Sequence, residues 1–155
     1  MNGERSTSAL EAAVASAVAT VDDPEFPGVS IVDLGLLVAI QADGDGQVTV
    51  SLTPTFSGCP ALQMIGDDVN RAVEAVDGVQ RVDVVWLAAP LWTTDRISPP
   101  ARQQLARQFA VVVDATMCPQ CEGGPLALVS EVGATRCRAV LRCSACGELV
   151  EQVRT

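Results

Sequence analysis

"QVTVSLTPTFSGCPALQMIGDDVNRAVEAV", residues Gln47 to Val76, changes its period halfway along. Before Pro54 the apolar residues Val48, Val50 and Leu52 alternate, which is the two-residue repeat of a half-buried strand. After Pro60 they recur at steps of three and four through Leu62, Ile65, Val69, Val73 and Val76. Asp67, Asp68, Arg71 and Glu74 fall on the other side, so this half reads as an amphipathic helix over Ala61 to Val76. Where strand meets helix, a lone cysteine stands directly before a proline. Pro60 suits the first helical position, which puts Cys59 at the expected N-cap. Helix starts favour negative charge, and Gly58 permits close backbone approach. The junction suits an accessible thiol.

Working outward, Leu10, Val14, Ala17 and Val21 mark a helix from Thr7 to Val21, which "DDPEFPG" then breaks. Val29 to Gln41 reads as one strand, joined by the polar turn "ADGDG" to the strand beginning at Gln47. Val79 to Ala88 reads as a third, with Val79, Val82, Val84 and Trp86 as core candidates. The order αββαβ predicts a small α/β (α+β) sandwich with helices on one face of the sheet. Ser98-Pro99 predicts the N-cap and first residue of an extra helix reaching about Phe109.

Composition narrows the function. The 155 residues are 48% hydrophobic but contain no tyrosine, so the core is aliphatic. The formal net charge is −9. Residues 1–117 hold six Arg against fifteen Asp/Glu, while 118–155 hold four of each. Neither part has the basic footprint that phosphate neutralisation requires, which argues against nucleic acid. No apolar run reaches the roughly 18 residues of a membrane span. The alanine-rich N-terminal stretch is interrupted by Glu11 and Ser16, an amphipathic helix rather than a leader. A cytoplasmic location is expected, and there metal binding outranks disulfides.

Five of the six cysteines follow Met117. Cys118-Pro-Gln-Cys121 and Cys143-Ser-Ala-Cys146-Gly147 are two C-x-x-C pairs, each able to grip one ion from a single turn. The alternating segment between them, with "EVGAT" as its turn, predicts a β-hairpin that brings the pairs together as a four-cysteine zinc-ribbon-like module. Cys118, Cys121, Cys143 and Cys146 are the expected ligands. Zinc is favoured, and a single iron would use the same set. Four thiolates leave no open coordination position, so the role expected is structural. Cys137, six residues before Cys143, is expected to be buried rather than ligating. The expected domains are 1–112 and 113–155.

Cys59 has no histidine to act as its base, because the chain has none. Cysteine–histidine catalysis by this chain alone is excluded. Metal or cluster ligation, thiol redox chemistry and plain packing remain. No diiron pattern of Glu-x-x-His on paired helices is present either.

Three segments, "DDPEFPGVSIVDLGLL", "VSLTPTFSGCPA" and "LAAPLWTTDRIS", together resemble the SufT-like iron–sulfur assembly family. The tail segments "CPQC", "GATRCRAVLRC" and "CSAC" resemble the extra module of its PaaD branch, accessory to the phenylacetyl-CoA ring-epoxidising system. The family's acidic motif falls on Asp23-Pro24-Glu25, and its threonine–cysteine motif on Thr53, Thr55 and Cys59-Pro60. The resemblance implies a non-catalytic accessory or maturation protein in phenylacetate catabolism. Cys59 would be the functional thiol, transiently holding iron or an iron–sulfur cluster, with Asp23, Glu25 and Thr55 beside it. Trp92 and Asp95 would line the same face. The implied partners are protein components of the multicomponent monooxygenase, its diiron oxygenase or its iron–sulfur reductase. The other role weighed is a structural or regulatory subunit of that complex. A homodimer is left open.

Overall fold

The computed structural model describes residues 2–154, with side chains from Thr7 onward. The chain forms two compact units, residues 1–92 and 93–155.

In the first unit, helix α1 covers Asn2–Val18. It begins earlier than the sequence suggests, because residues 2–6 carry no apolar repeat to announce a helix. It also stops sooner. The Thr20 hydroxyl donates to the Ala17 carbonyl at 2.7 Å, and Val21 already accepts from the Ile31 N–H at 2.9 Å. Val14 and Val18 form its buried stripe. Strands β1 (Asp22–Asp23) and β2 (Phe26–Ser30) make a short hairpin across Pro24-Glu25.

The long strand expected over residues 29–41 is two elements. Leu34 and Leu36 donate to the carbonyls of Ser30 and Ile31, and Gly35 to that of Val32, closing a tight turn before β3 (Leu37–Ala42). Gly35 has φ +79°, a left-handed conformation that favours glycine. Ile31, Leu34 and Leu36 are all buried. They carry a strand-like apolar pattern through the turn, and exposed Asp33 with Gly35 is its mark in the sequence.

Strand β3 pairs antiparallel with β4 (Gln47–Leu52), and β4 pairs parallel with β5 (Arg81–Trp86). The β3–β4 turn is held by Asp43, whose carboxylate accepts from the N–H groups of Asp45 and Gln47 at 2.9 Å. The parallel pair needs a crossover, supplied by α2 (Ala61–Glu74). Ile65, Val69 and Val73, four residues apart, form its buried stripe, and Val48, Val50 and Leu52 of β4 are buried with it. Helix α2 packs on β5, and α1 packs on β3 and beside α2. The α/β sandwich is the one the periodicities predict.

The second unit opens with a 3-10 turn, Thr94–Arg96, and α3 (Pro99–Phe109). As expected, Ser98 is the N-cap; its hydroxyl accepts from the Ala101 N–H at 3.2 Å. Strands β7 (Leu126–Ser130) and β8 (Arg138–Cys143) are the expected hairpin. Two further strands, β6 (Val111–Val112) and β9 (Leu149–Val153), complete a four-stranded sheet of order β6-β9-β8-β7. Val112, Leu141 and Val150 give it a small apolar cluster.

Glu151 ties this sheet together. Its carboxylate accepts from the Arg138 guanidinium at 2.6 Å and from the Ala134 N–H at 2.9 Å. Burial opposes its charge, but these two donors prevail and hold the carboxyl below the usual carboxylate range. A depressed folded pKa stabilises at neutral pH, and that contribution is lost as pH falls through the depressed value.

Two outcomes are expected. Ile65→Ala should cost about 2–5 kcal/mol by urea denaturation, while exposed Met64→Ala should stay within about 0.5 kcal/mol. Glu151→Gln should lower the stability of the second unit at pH 7 by about 1–3 kcal/mol. The gap from the parent protein should close as the solution is acidified below the carboxylate range; a constant gap would mean the charge is irrelevant.

Candidate functional site

The tail cysteines converge. The Sγ atoms of Cys118, Cys121, Cys143 and Cys146 all lie within 4.8 Å of one another. Cys118 and Cys146 are 3.8 Å apart, and Cys121 and Cys143 are 3.6 Å apart. A tetrahedral ion with metal–sulfur bonds of about 2.3 Å places its sulfurs about 3.8 Å apart. The cage therefore fits zinc, or iron of similar bond length.

Each pair rides on a similar turn. Glu122 donates to the Cys118 carbonyl and Gly147 to the Cys143 carbonyl, both at 3.0 Å. Both donors have positive φ, +57° at Glu122 and +78° at Gly147. In the second turn the N–H groups of Ala145 and Cys146 point at Cys143 Sγ from 3.4 and 3.5 Å. The hydrogen bond from Cys146 N–H is the largest influence lowering the Cys143 thiol, to about 6. Cys146 goes the other way, to about 12. The Glu148 backbone N–H favours its thiolate, but Cys143, burial, Cys121 and Cys118 outweigh that donor. One thiolate forms readily and its neighbour resists, as crowded like charges must unless a cation joins them. An ion bound here cross-links the two turns.

Gly124 is a part of the cage that the ligand spacing does not announce. A Cβ there would meet Ala145 Cβ at 2.7 Å and collide with Cys143 Sγ, so only glycine lets the two turns close. The Gly123-Gly124 pair after Cys121 is its one mark in the sequence. Cys137 lies outside the cluster, half-buried, with its sulfur 3.0 Å from the Thr135 hydroxyl.

The Cys59 loop is built differently. Thr53 is buried; its N–H donates to Leu36 O at 2.8 Å and its hydroxyl to Pro90 O at 2.9 Å. Thr55 is half-buried. The Cys59 N–H donates to Phe56 O at 3.1 Å, closing a turn, and Cys59 O accepts from Leu62 N–H at 3.3 Å. The N-cap falls on Pro60, not on Cys59. The cap position is one residue later than expected, although Pro60's own angles, φ −67° and ψ −17°, are already helical, so the two placements differ only in where the first turn is counted. Cys59 is half-buried at the mouth of the helix.

Asp23 is buried and its carboxylate accepts from the Glu25 N–H at 2.8 Å, so the acidic motif shapes the β1–β2 turn. Among the described residues the four tail thiols make a convergent metal-ligand group, and Asp23, Glu25 and Cys59 do not. Trp92 is buried, its indole N–H donating to Leu34 O at 2.8 Å, and Asp95 is exposed in the 3-10 turn. Among the described residues no helix is long and apolar enough to cross a membrane.

Residues 11–84 match the family described as iron–sulfur cluster assembly protein, and residues 104–154 match the PaaD zinc beta ribbon domain. A relative from Escherichia coli (strain K12), provisionally named as a subunit of 1,2-phenylacetyl-CoA epoxidase, is 35% identical over 139 residues, 83% of this chain and 82% of the relative. The chain belongs to the PaaD-type iron–sulfur assembly family. Another relative, an Fe-S protein maturation auxiliary factor from Porphyromonas gingivalis (strain ATCC BAA-308 / W83), is 42% identical over 86 residues, 56% of this chain and 81% of the relative. The assembly-family fold is also that of a Bacillus anthracis domain of unknown function. Its crystal structure aligns with a TM-score of 0.63 at 31% identity, over 68% of this chain and 99% of that one.

The cage gives a direct test. Purified protein should hold about one metal ion per chain by elemental analysis. Serine at position 118, 121, 143 or 146 should release it and unfold the second unit, since binding energy here is folding energy. Cys137→Ser should retain the ion. Gly124→Ala should lose it although every ligand remains, and full metal content in that variant would refute the close-approach argument.

Proposed function

We propose that the protein is a non-catalytic maturation factor for the iron-containing phenylacetyl-CoA epoxidase, assisting assembly of its iron–sulfur or diiron centre. The observation that carries this reading is the union in one chain of an assembly-family unit with the PaaD-type ribbon. The names of the relatives support it, since they include maturation auxiliary factors and a component of the epoxidase. Iron or a nascent cluster is cargo in this reading, held briefly at Cys59. Thr55 belongs to the same loop, and Asp23 and Glu25 act by ordering their own turn rather than as ligands. Zinc at Cys118, Cys121, Cys143 and Cys146 stabilises the tail without taking part. The protein works in the cytoplasm, against the diiron oxygenase or the iron–sulfur reductase of the complex.

A second reading, a structural or regulatory subunit of the monooxygenase, is favoured by the Escherichia coli relative's name. Timing separates the two. A maturation factor acts before turnover, whereas a structural component acts in the course of it. Cells lacking this protein should make the oxygenase components at normal levels but with reduced iron. Adding the purified protein with an iron source, sulfide and reductant should restore deficient enzyme, and adding it to metal-replete enzyme should leave the rate unchanged. Cys59→Ser should fold within about 1 kcal/mol of the parent protein yet fail to restore, since a hydroxyl is a poor substitute for a soft thiolate. A stoichiometric requirement for this chain in every turnover of replete enzyme would hand the function to the second reading.

A further inference from the structure

Leu91 is 80% exposed, yet it does not sit on a loose loop. On one side the Pro90 carbonyl accepts from the buried Thr53 hydroxyl. On the other, Trp92 is buried and bonded to Leu34 O. With both neighbours pinned, the chain presents an aliphatic side chain to water in a fixed place. Single exposed apolar residues are ordinary on protein surfaces; the position of this one is what distinguishes it. Strands β4 and β5 run parallel with Leu52 opposite Trp86, so the loops that follow them leave the same end of the sheet. One of those loops carries Cys59 and the other carries Leu91, and the Thr53–Pro90 bond joins them. In parallel α/β sheets this end is where binding surfaces form.

Two more exposed apolar side chains stand nearby in the chain, Phe56 on the Cys59 loop and Met64 on the helix that follows it. Phe56, 37% exposed, closes the turn with Cys59 and lies against Gly58, where a Cβ would meet its ring at 3.0 Å. Met64, 55% exposed, is on the first turn of α2, and its flexible thioether adapts to a facing surface. Charge selects what they face. Residues 1–92 contain three Arg, no Lys and thirteen Asp/Glu, a net charge of −10. The patch segments, residues 53–64 and 87–92, are themselves uncharged, so the unit's −10 acts at longer range, where it repels a second copy. A basic partner would be drawn in.

We propose that Leu91, Phe56 and Met64 form the docking surface for the client protein that takes iron or a cluster from Cys59, and that the client offers an apolar cleft rimmed by Lys and Arg. This rests on the maturation reading above. Leu91 is the anchor, and Thr53 is the positioning residue that couples the docking loop to the thiol loop.

Binding of the purified, iron-depleted iron–sulfur reductase and diiron oxygenase components is measured by calorimetry at low and high salt. Leu91→Ser and Phe56→Ala are compared with the parent protein, after thermal melts confirm that both variants fold. Leu91→Ser is expected to weaken capture of one component by about tenfold or more, Cys59→Ser to leave it within about twofold, and salt to weaken the parent complex. Unchanged affinity in Leu91→Ser, or no capture of either component by the parent protein, overturns the docking surface. So does a parent dimer in sedimentation that Leu91→Ser dissolves. The two readings fail separately in cells lacking the native chain. Client iron restored by Leu91→Ser but not by Cys59→Ser sinks the docking surface alone. Restoration by Cys59→Ser sinks the thiol-based maturation on which it rests.

Discussion

The parallel pairing of β4 with β5 is the constraint on which the first unit depends. Parallel neighbours cannot be joined by a tight turn, so the chain must cross over the sheet, and α2 is that crossover. Its apolar stripe then has one place to go, onto the sheet, and α1 is packed in beside it. The same pairing sends the Cys59 loop and the Leu87–Trp92 loop out together. The thiol's location thus follows from sheet topology.

The second unit depends on a different feature, four cysteine sulfurs held within 4.8 Å of one another. Their geometry matches a tetrahedral ion, and the Cys143 thiolate, which forms readily, makes a second thiolate at Cys146 unfavourable. The sheet's own apolar cluster is Val112, Leu141 and Val150, with Ile97 and Leu105 buried along the α3 segment. A bound cation would cross-link the two C-x-x-C turns.

Legibility in the sequence tracks periodicity. Helix α2, the β3–β4 hairpin, the Ser98-Pro99 helix start and the four tail thiols each carry a local pattern, and each is present. What the pattern hides has physical reasons. Ile31 and Leu34 of the Ile31–Gly35 turn are buried, so the apolar pattern runs on through it and only Asp33 and Gly35 mark the break. Strand β6 is only two residues long, and β9 is defined by long-range pairing with β6 and β8. Glu122 adopts the left-handed conformation that Gly147 announces at the equivalent place, so the first turn lacks the sequence mark of the second. At Cys59 the strand-to-helix junction is plain, whereas the cap shifts to Pro60, within the usual one-residue latitude of helix ends.

The order β6-β9-β8-β7 has a consequence for synthesis. Every pairing among β1 to β5 is complete once the ribosome has passed Trp86, so the first unit has all its sheet partners early. In the second unit the last strand made, β9, occupies an interior position between β6 and β8. Until Leu149–Val153 has emerged, β6 has no neighbour and β8 is an open edge. All four thiols precede β9 in the chain, so the metal turns can gather on the nascent β7–β8 hairpin before β9 completes the sheet.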